Sequence, residues 1–310
     1  MAALPDALTR RLPRLPFPYS APSVPAGVDV PEATPRSGPD YDTDWARRYP
    51  ARLARAALVE TVGRSLVTAL ARPRVSGLDR LDALADSDHG PVIFAANHHS
   101  HVDTPVLLTA IPDTWRHKLF VGGAADYFFR TRLTSAVSAL AIGAIPIERT
   151  RVSRRSADRS AELIDAGWSM LIFPEGGRSP DGWGQPFHGG AAYLALRCGV
   201  PVVPIHLHGT GRILRKGKRW PTPATATVTF GAPLVPEPGN NARRLSATIQ
   251  GAVEALADEA TTDWWSARRR AHAGASPALT GPSAPAWRRA WALGDGSGQR
   301  RRQRRRWPEV

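Results

Sequence analysis

Short apolar runs alternate with polar-faced stretches through the middle of this 310-residue chain. The runs PVIFAAN (91–97), AIPIE (144–148), SMLIFPE (169–175), VPVVPIHLHG (200–209) and ATATVTFG (224–231) read as strands. Between them, SRRSADRSAELIDAG (153–167) and GGAAYLALRCG (189–199) suit helices, and a last helix is predicted near 242–260. Strands alternating with helices predict an α/β fold, a single domain built on one mixed sheet flanked by helices. Upstream, Leu53, Ala57, Val62, Leu66 and Leu70 recur at helical spacing, with Arg52, Arg55, Glu60 and Arg64 among them. That spacing predicts an amphipathic helix over 50–72, its apolar stripe packed on the core or, as the alternative, laid on a lipid surface.

Both ends break the pattern. Nine prolines fall between residues 5 and 39, a density that removes hydrogen-bond donors and blocks helix. Residues 1–45 are therefore expected to be a Pro-rich arm, 46–262 the folded domain with its motif-bearing core over 75–250, and 263–310 a disordered tail rich in Arg and Trp. The formal net charge is +14, of which residues 266–310 carry +9 (eleven Arg against Asp295 and Glu309), so most of the basicity belongs to the tail. Cys198 is the only cysteine; it permits no intramolecular disulfide, which fits a reducing cytoplasm. No uninterrupted apolar run reaches the roughly 18 residues needed to span a bilayer, and MAALPDALTRRLPRLPFPYS lacks the apolar segment of a signal peptide. Any membrane role is expected to be peripheral. Arg-heavy, Ala-rich usage with three lysines suggests a GC-rich bacterial genome.

Candidate chemistry begins at NHHSHVDTP (97–105), which brings three imidazoles and a carboxylate together. His99, His101 and Asp103 spell H-x-H-x-D, the opening of a binuclear metallo-hydrolase signature, but Thr104 stands where its last histidine belongs. Asp103-Thr104-Pro105 also reads as a helix start, with a cap followed by Pro in the first turn. The third reading is a catalytic pair. His98 falls at the mouth of a strand and five residues before Asp103, where the turn into a helix can fold the carboxylate back onto the imidazole. An imidazole held in one tautomer by a carboxylate is a general base for work near neutral pH.

A second constellation, FPEGGRS (173–179), follows the strand run SMLI and offers exposed backbone amides, the Glu175 carboxylate and the Arg178 guanidinium. Between the two lies GAIPIERTR (143–151), in which Arg149 follows an apolar strand just as Arg178 does. As a pair these guanidiniums suit a phosphate clamp.

In these residues the sequence resembles the glycerolipid acyltransferase family, which includes the 1-acylglycerol-3-phosphate acyltransferases. Four ordered blocks carry the resemblance: NHHSHVD, GAIPIER, FPEGGRS and GVPVVPI (199–205), with FHGGAAYLALRCG leading into the last. It spans roughly 75–250 and implies a single acyltransferase domain that moves a fatty acyl group from acyl-CoA, or acyl-carrier protein, to a hydroxyl of a lysophospholipid-type acceptor. On this resemblance His98 is the base, Asp103 orients it, and Arg149, Glu175, Gly176, Gly177, Arg178 and Ser179 bind the acceptor. No metal and no cofactor beyond the acyl donor are implied. Gly177 stands where the family usually has Thr, Pro146 and Glu148 where Phe and Asp are typical, and His188 where Lys is frequent. These departures cluster on the acceptor blocks and leave the His–Asp pair intact, so acyl transfer is the firmer expectation and the acceptor the more open one.

The tail segments DWWSARRR, AWRRAW and QRRRQRRRW interleave Trp with Arg, a combination that favours an anionic membrane interface over nucleic acid. Association with the cytoplasmic face of a membrane is the expected location. Two alternatives are a metal-dependent hydrolase built on His99, His101 and Asp103, and a non-catalytic membrane or nucleic-acid adaptor that keeps an acyltransferase-like fold.

Overall fold

A computed structural model describes residues 37–289 apart from 86–89, 149–153, 180, 216, 218, 238, 240 and 286. Seven strands make one sheet: β1 (Arg74–Ser76), β2 (Ile93–Ala96), β3 (Leu119–Ala124), β4 (Ala144–Ile147), β5 (Ser169–Ile172), β6 (Val202–His208) and β7 (Thr227–Phe230). Their order is β1-β7-β6-β2-β5-β3-β4, and every neighbouring pair is parallel except β6 with β7. The expected mixed sheet flanked by helices is the observed architecture.

The central strand shows why the apolar runs were continuous rather than alternating. Phe94 and Ala96 enter a core with Leu107, Trp115 and Phe230, while Ile93 and Ala95 enter a second core with Phe120, Met170 and Ile249 on the opposite face. All four β2 side chains are fully buried, as a parallel sheet covered by helices on both faces demands. Burying each Ile or Phe contributes about 1.5–3 kcal/mol.

Five of the strands lie inside the five apolar runs, and two were not foreseen. β3 reads LFVGGA, where two glycines replace the β-branched signal. They are there for close packing: a Cβ on Gly122 would lie 2.8 Å from Ile147 Cδ1, and one on Gly123 3.2 Å from the Ala144 Cβ of β4. β1 has three residues, all exposed, too few for a period to register.

The amphipathic helix over 50–72 exists as Tyr49–Leu58, a wide π-turn Val59–Gly63, and Arg64–Ala71. Its faces are reversed from the core-packing expectation. Arg55, Val59, Val67 and Ala71 are buried, whereas Leu53 (58% exposed), Val62 (60%) and Leu66 (56%) face outward. The wide turn offsets the drift of about 40° that four-residue spacing accumulates per step in an ordinary helix, so positions spaced by fours share the inner face. Arg55 anchors that face by donating to Leu140 O (2.7 Å), Ala139 O (2.9 Å) and Ala46 O (2.7 Å). Two of these acceptors lie in the last turn of the helix Arg132–Ile142, where a cation also complements the helix dipole.

The chain order extends past both expected domain boundaries. At the start, Thr43 and Ala46 are buried and Gly38 N donates to Phe129 O (2.7 Å); residues 1–36 of the expected arm lie outside the described residues. At the end, the tail expected to be disordered from 263 forms a helix, Trp264–His272. Asp263 caps it by accepting from Ser266 N (2.9 Å), and Arg270 clasps the buried Asp258 through two contacts (2.6 and 2.8 Å). Composition hid both devices. The chain then runs back across the domain to Arg289, while the Arg run 300–306 lies outside the described residues.

Candidate active site

β2 and β5 are neighbours in register, Ala95 opposite Ile172, so the polar segments that follow the two strands emerge side by side at the carboxyl edge of the sheet. Parallel α/β sheets place their ligands at that edge. NHHSHVD leaves β2, and FPEGGRS leaves β5.

The turn after β2 is held at its base by Asn97, which donates to Leu207 O (2.9 Å) and accepts from Leu207 N (2.7 Å), tying the end of β2 to β6. The chain then turns into the helix Asp103–Ala110. Asp103 is fully buried, and its Oδ2 accepts from His98 Nδ1, His99 N and Ser100 N, each at 2.8 Å. One carboxylate thus folds the turn and orients the imidazole, while the cap expected of Asp103 is not formed: Val102 is the cap residue, and Asp103, first in the helix, bonds the amides of the preceding turn instead of those of the first helical turn. The His98 ring stacks on Phe173 from the other segment (centroids 4.1 Å apart, planes 20° apart). With Nδ1 committed to Asp103, Nε2 is the ring nitrogen left for the cleft that His98 lines.

The two segments are bolted together through main chain. His98 N donates to Glu175 Oε1 (2.8 Å), and Ser179 N donates to His98 O (3.0 Å). The other Glu175 oxygen accepts from Gln185 N (2.9 Å). Burial pushes the Glu175 carboxyl up to about 7, against the two backbone donors that favour its charged form. Gly176 supplies the bend with φ +69°, and its N donates to Phe173 O (3.0 Å). A Cβ there would meet the His188 ring at 3.0 Å in a left-handed conformation, so only glycine is comfortable.

A cleft of about 1080 Å³ opens over this edge. Val121, Phe128, Ile142, Ile147, Ile172 and Phe173 give it apolar walls, and His98, His101 and Arg178 line it as well. Gly176 and Gly177 border the cleft too. Arg178 donates to His101 Nε2, and its guanidinium lies 5.4 Å from the centre of the Tyr127 ring. Burial first, and then the neighbouring Arg178 charge, lower the His101 pKa, which keeps its Nε2 an acceptor.

Two of the residues expected to touch an acceptor do not face the cleft. Glu175 is 3% exposed and both its oxygens are taken by backbone donors; an anion there would in any case repel a phosphate. Ser179 is 5% exposed and its Oγ accepts from Gly182 N (2.7 Å). Both build the loop that presents Arg178. Arg149 lies outside the described residues. The metal reading loses its geometry. His101 turns to Arg178 and Tyr127, whereas the half-buried His99 has its pKa lowered mainly by desolvation, against the raising effect of the Asp103 charge. Among the described residues no three His, Cys, Asp or Glu side chains come together to hold a metal.

Phe173, Gln185 and Tyr127 were missed as site residues. Phe173 stood in the quoted block without a role, and nothing in the sequence says that an exposed tyrosine near β3 reaches the segment after β2.

The model of the Acyltransferase family matches residues 72–208. The chain is 32% identical over 149 residues to the chloroplastic 1-acyl-sn-glycerol-3-phosphate acyltransferase BAT2 of Brassica napus, covering 46% of this chain and 39% of that one. It is 26% identical over 151 residues to the human 1-acyl-sn-glycerol-3-phosphate acyltransferase beta, covering 44% and 49%. The chain therefore matches 39% and 49% of the length of these relatives, less than half of each. In fold it is similar to the crystal structure of the 1-acyl-sn-glycerophosphate acyltransferase PlsC from Thermotoga maritima, with a TM-score of 0.56 at 23% identity over 72% of this chain and 84% of that one. The order of the four blocks and the matched sequence agree: over residues 72–208 the chain is similar to the Acyltransferase family, and its sheet shares the fold of the PlsC structure.

Proposed function

We propose that the protein transfers a fatty acyl group from a thioester donor, acyl-CoA or acyl-carrier protein, to the free hydroxyl of a lysophospholipid-type acceptor such as 1-acylglycerol-3-phosphate. The observation that carries this reading is the His98–Asp103 pair, 2.8 Å apart, whose imidazole lines an apolar-walled cleft that Arg178 also lines. The relatives named for 1-acyl-sn-glycerol-3-phosphate acylation support the same acceptor class.

In this mechanism His98 Nε2 takes the proton of the acceptor hydroxyl while Nδ1–H stays on Asp103. The freed oxygen attacks the thioester carbonyl carbon, the tetrahedral adduct collapses with cleavage of the C–S bond, and the imidazolium returns its proton to the departing thiolate. The products are an ester and a free thiol. General-base assistance of this kind is worth about 10² to 10⁴ in rate, and the buried Asp103 charge stabilises the imidazolium that forms between the two proton transfers. Arg178, with Gly176 and Gly177 beside it, holds the anionic headgroup, and the apolar walls take the acyl chain. The reaction uses one base, one anion-binding side chain and two substrates, and calls on no cofactor.

The lipid acceptor has to be reached at a membrane surface. Among the described residues no helix is long and apolar enough to cross a bilayer. Leu53, Val62 and Leu66 are exposed apolar side chains on the helical segment that starts at Tyr49, and the basic Arg48 and the Glu60-paired Arg64 are exposed on the same segment. Exposed Trp264, Trp265 and Trp287 accompany arginines on the C-terminal segment. Apolar side chains rimmed by arginine suit an anionic phospholipid surface, and this pairing supports peripheral attachment.

The direct test supplies 1-acylglycerol-3-phosphate with palmitoyl-CoA, and separately with palmitoyl-acyl-carrier protein, and follows the diacyl product by mass spectrometry. Product with either donor is the expected result. No product from that acceptor or from a panel of other lysolipids, in folded protein, contradicts the reading.

A further inference from the structure

The segment after the last helix does not leave the domain. It crosses to the loop 181–185, which continues directly from the FPEGGRS block. Gly184 N donates to Leu279 O (2.9 Å), and Leu279 N donates to Glu254 on the helix Ala242–Thr261 (3.3 Å). The Trp183 indole Nε1–H donates to Arg289 O (2.9 Å), and the Arg289 guanidinium grips Asp181 (2.8 Å), with both side chains of that pair about three-quarters buried. Gly281 packs flat against the Trp183 ring: a Cβ there would lie 2.3 Å from Cδ2, at a backbone φ of +70°.

The loop so gripped is the one that fixes the acceptor block from behind. Gly182 N donates to Ser179 Oγ (2.7 Å), Gln185 Nε2 donates to the carbonyls of Gly177 and Arg178 (3.3 Å each), and Gln185 N donates to Glu175, which in turn receives His98 N. Contacts joined through the 181–185 main chain therefore run from Arg289 by way of Asp181 and Trp183 to Gly177 and Arg178, which border the cleft.

We propose that residues 279–289 are a strap whose Gly281 and Arg289 act as positioning residues for acceptor binding, holding Trp183 and Asp181 so that the 175–179 loop presents Arg178 to the cleft. The strap lies outside residues 72–208, so this property does not come with the acyltransferase domain. It belongs to the way this chain continues beyond it.

Only the kinetic part of the test rests on the acyl-transfer reading. In the full chain, Gly281→Ala drives a methyl group into Trp183, Arg289→Ala removes the grip on Asp181 more gently, and the exchanged pair Asp181→Arg with Arg289→Asp restores an ion pair of opposite direction. Hydrogen exchange is followed at the amides of Gly182 and Gln185, with amides in the helix Ala242–Thr261 as the internal control. Acceptor KM, donor KM and kcat are measured on the same samples. Both single variants are expected to lose protection at Gly182 and Gln185 with the control helix unchanged. They should raise acceptor KM about tenfold, the scale on which small misplacements of a binding group act, while donor KM stays put. The exchanged pair should recover part of that loss. Unchanged protection at the two amides, or loss spread equally over the control helix, overturns the strap, as does an acceptor KM equal to the parent's. If the parent itself turns over no acceptor, the acyl-transfer reading fails, and the exchange data alone still decide whether the strap holds the loop.

Discussion

Asp103 serves two purposes with one oxygen, and substitution separates them. Asp103→Asn keeps the shape and an acceptor oxygen for His99 N and Ser100 N, both 2.8 Å away in the native turn, but removes the charge beside the His98 ring. An ion pair at about 4 Å in an effective dielectric of about 20 is worth about 4 kcal/mol. The variant forfeits that stabilisation when His98 becomes an imidazolium, which corresponds to roughly a thousandfold in kcat. Asp103→Ala also orphans two buried backbone donors, at about 1–3 kcal/mol each, and should lower the unfolding free energy by about 2–6 kcal/mol. The assay is thiol release from palmitoyl-CoA with a saturating lysophospholipid, alongside urea unfolding of each variant. The expected pattern is a near-native Asn variant that is almost inactive and an Ala variant that is both inactive and unstable. An Asn variant that folds and retains activity within a few-fold of the parent would refute the claim that the Asp103 charge drives proton transfer.

Other consequences follow from single residues. Burial raises the Glu175 carboxyl from 4.5 to about 7, so its contribution to stability is present below about pH 4.5 and lost as pH rises through about 7. Urea unfolding should show the parent losing about 3 kcal/mol relative to Glu175→Gln across that window, and parallel pH profiles for the two proteins would count against it. Arg55→Ala strips donors from three carbonyls in the interior and should cost about 3 kcal/mol by thermal or chemical unfolding, with catalysis per folded molecule intact. Replacing Leu53, Val62 and Leu66 together with Asp should abolish sedimentation with phosphatidylglycerol vesicles without changing the thermal midpoint; undiminished binding removes that face from the membrane account. Gly122→Val places bulk against Ile147 in the cleft wall and should shift the donor preference toward shorter acyl chains, read by competition among acyl-CoAs.

How much of this was legible depended on what the information consisted of. Apolar runs without interruption announced strands buried on both faces, and β2 with its two cores is what such a run means. The pairing of His98 with Asp103 was legible because both partners sit on one turn. Contacts carried by backbone were not. Glu175 looked like a ligand because it is a carboxylate in a polar block, yet its partners are the main-chain amides of His98 and Gln185, which no residue type reveals. β3 hid behind glycines chosen for close strand packing, and the reversal of the 49–71 helix hinged on a wide turn that shifts the helical phase. The described part of the tail was expected to be disordered because its composition is rich in Arg and Trp, yet Asp263 caps its helix through Ser266 N, Asp258 holds Arg270 and Asp181 holds Arg289.

The central claim is that His98 is the base for acyl transfer, and the most direct measurement is the rate of thiol release by His98→Ala beside the parent, with lysophosphatidate and palmitoyl-CoA saturating and the fold of both checked by circular dichroism. The account predicts a parent that releases thiol in step with diacyl product and a folded variant slower by about 10² to 10⁴. A folded His98→Ala protein that acylates at the parent rate contradicts it.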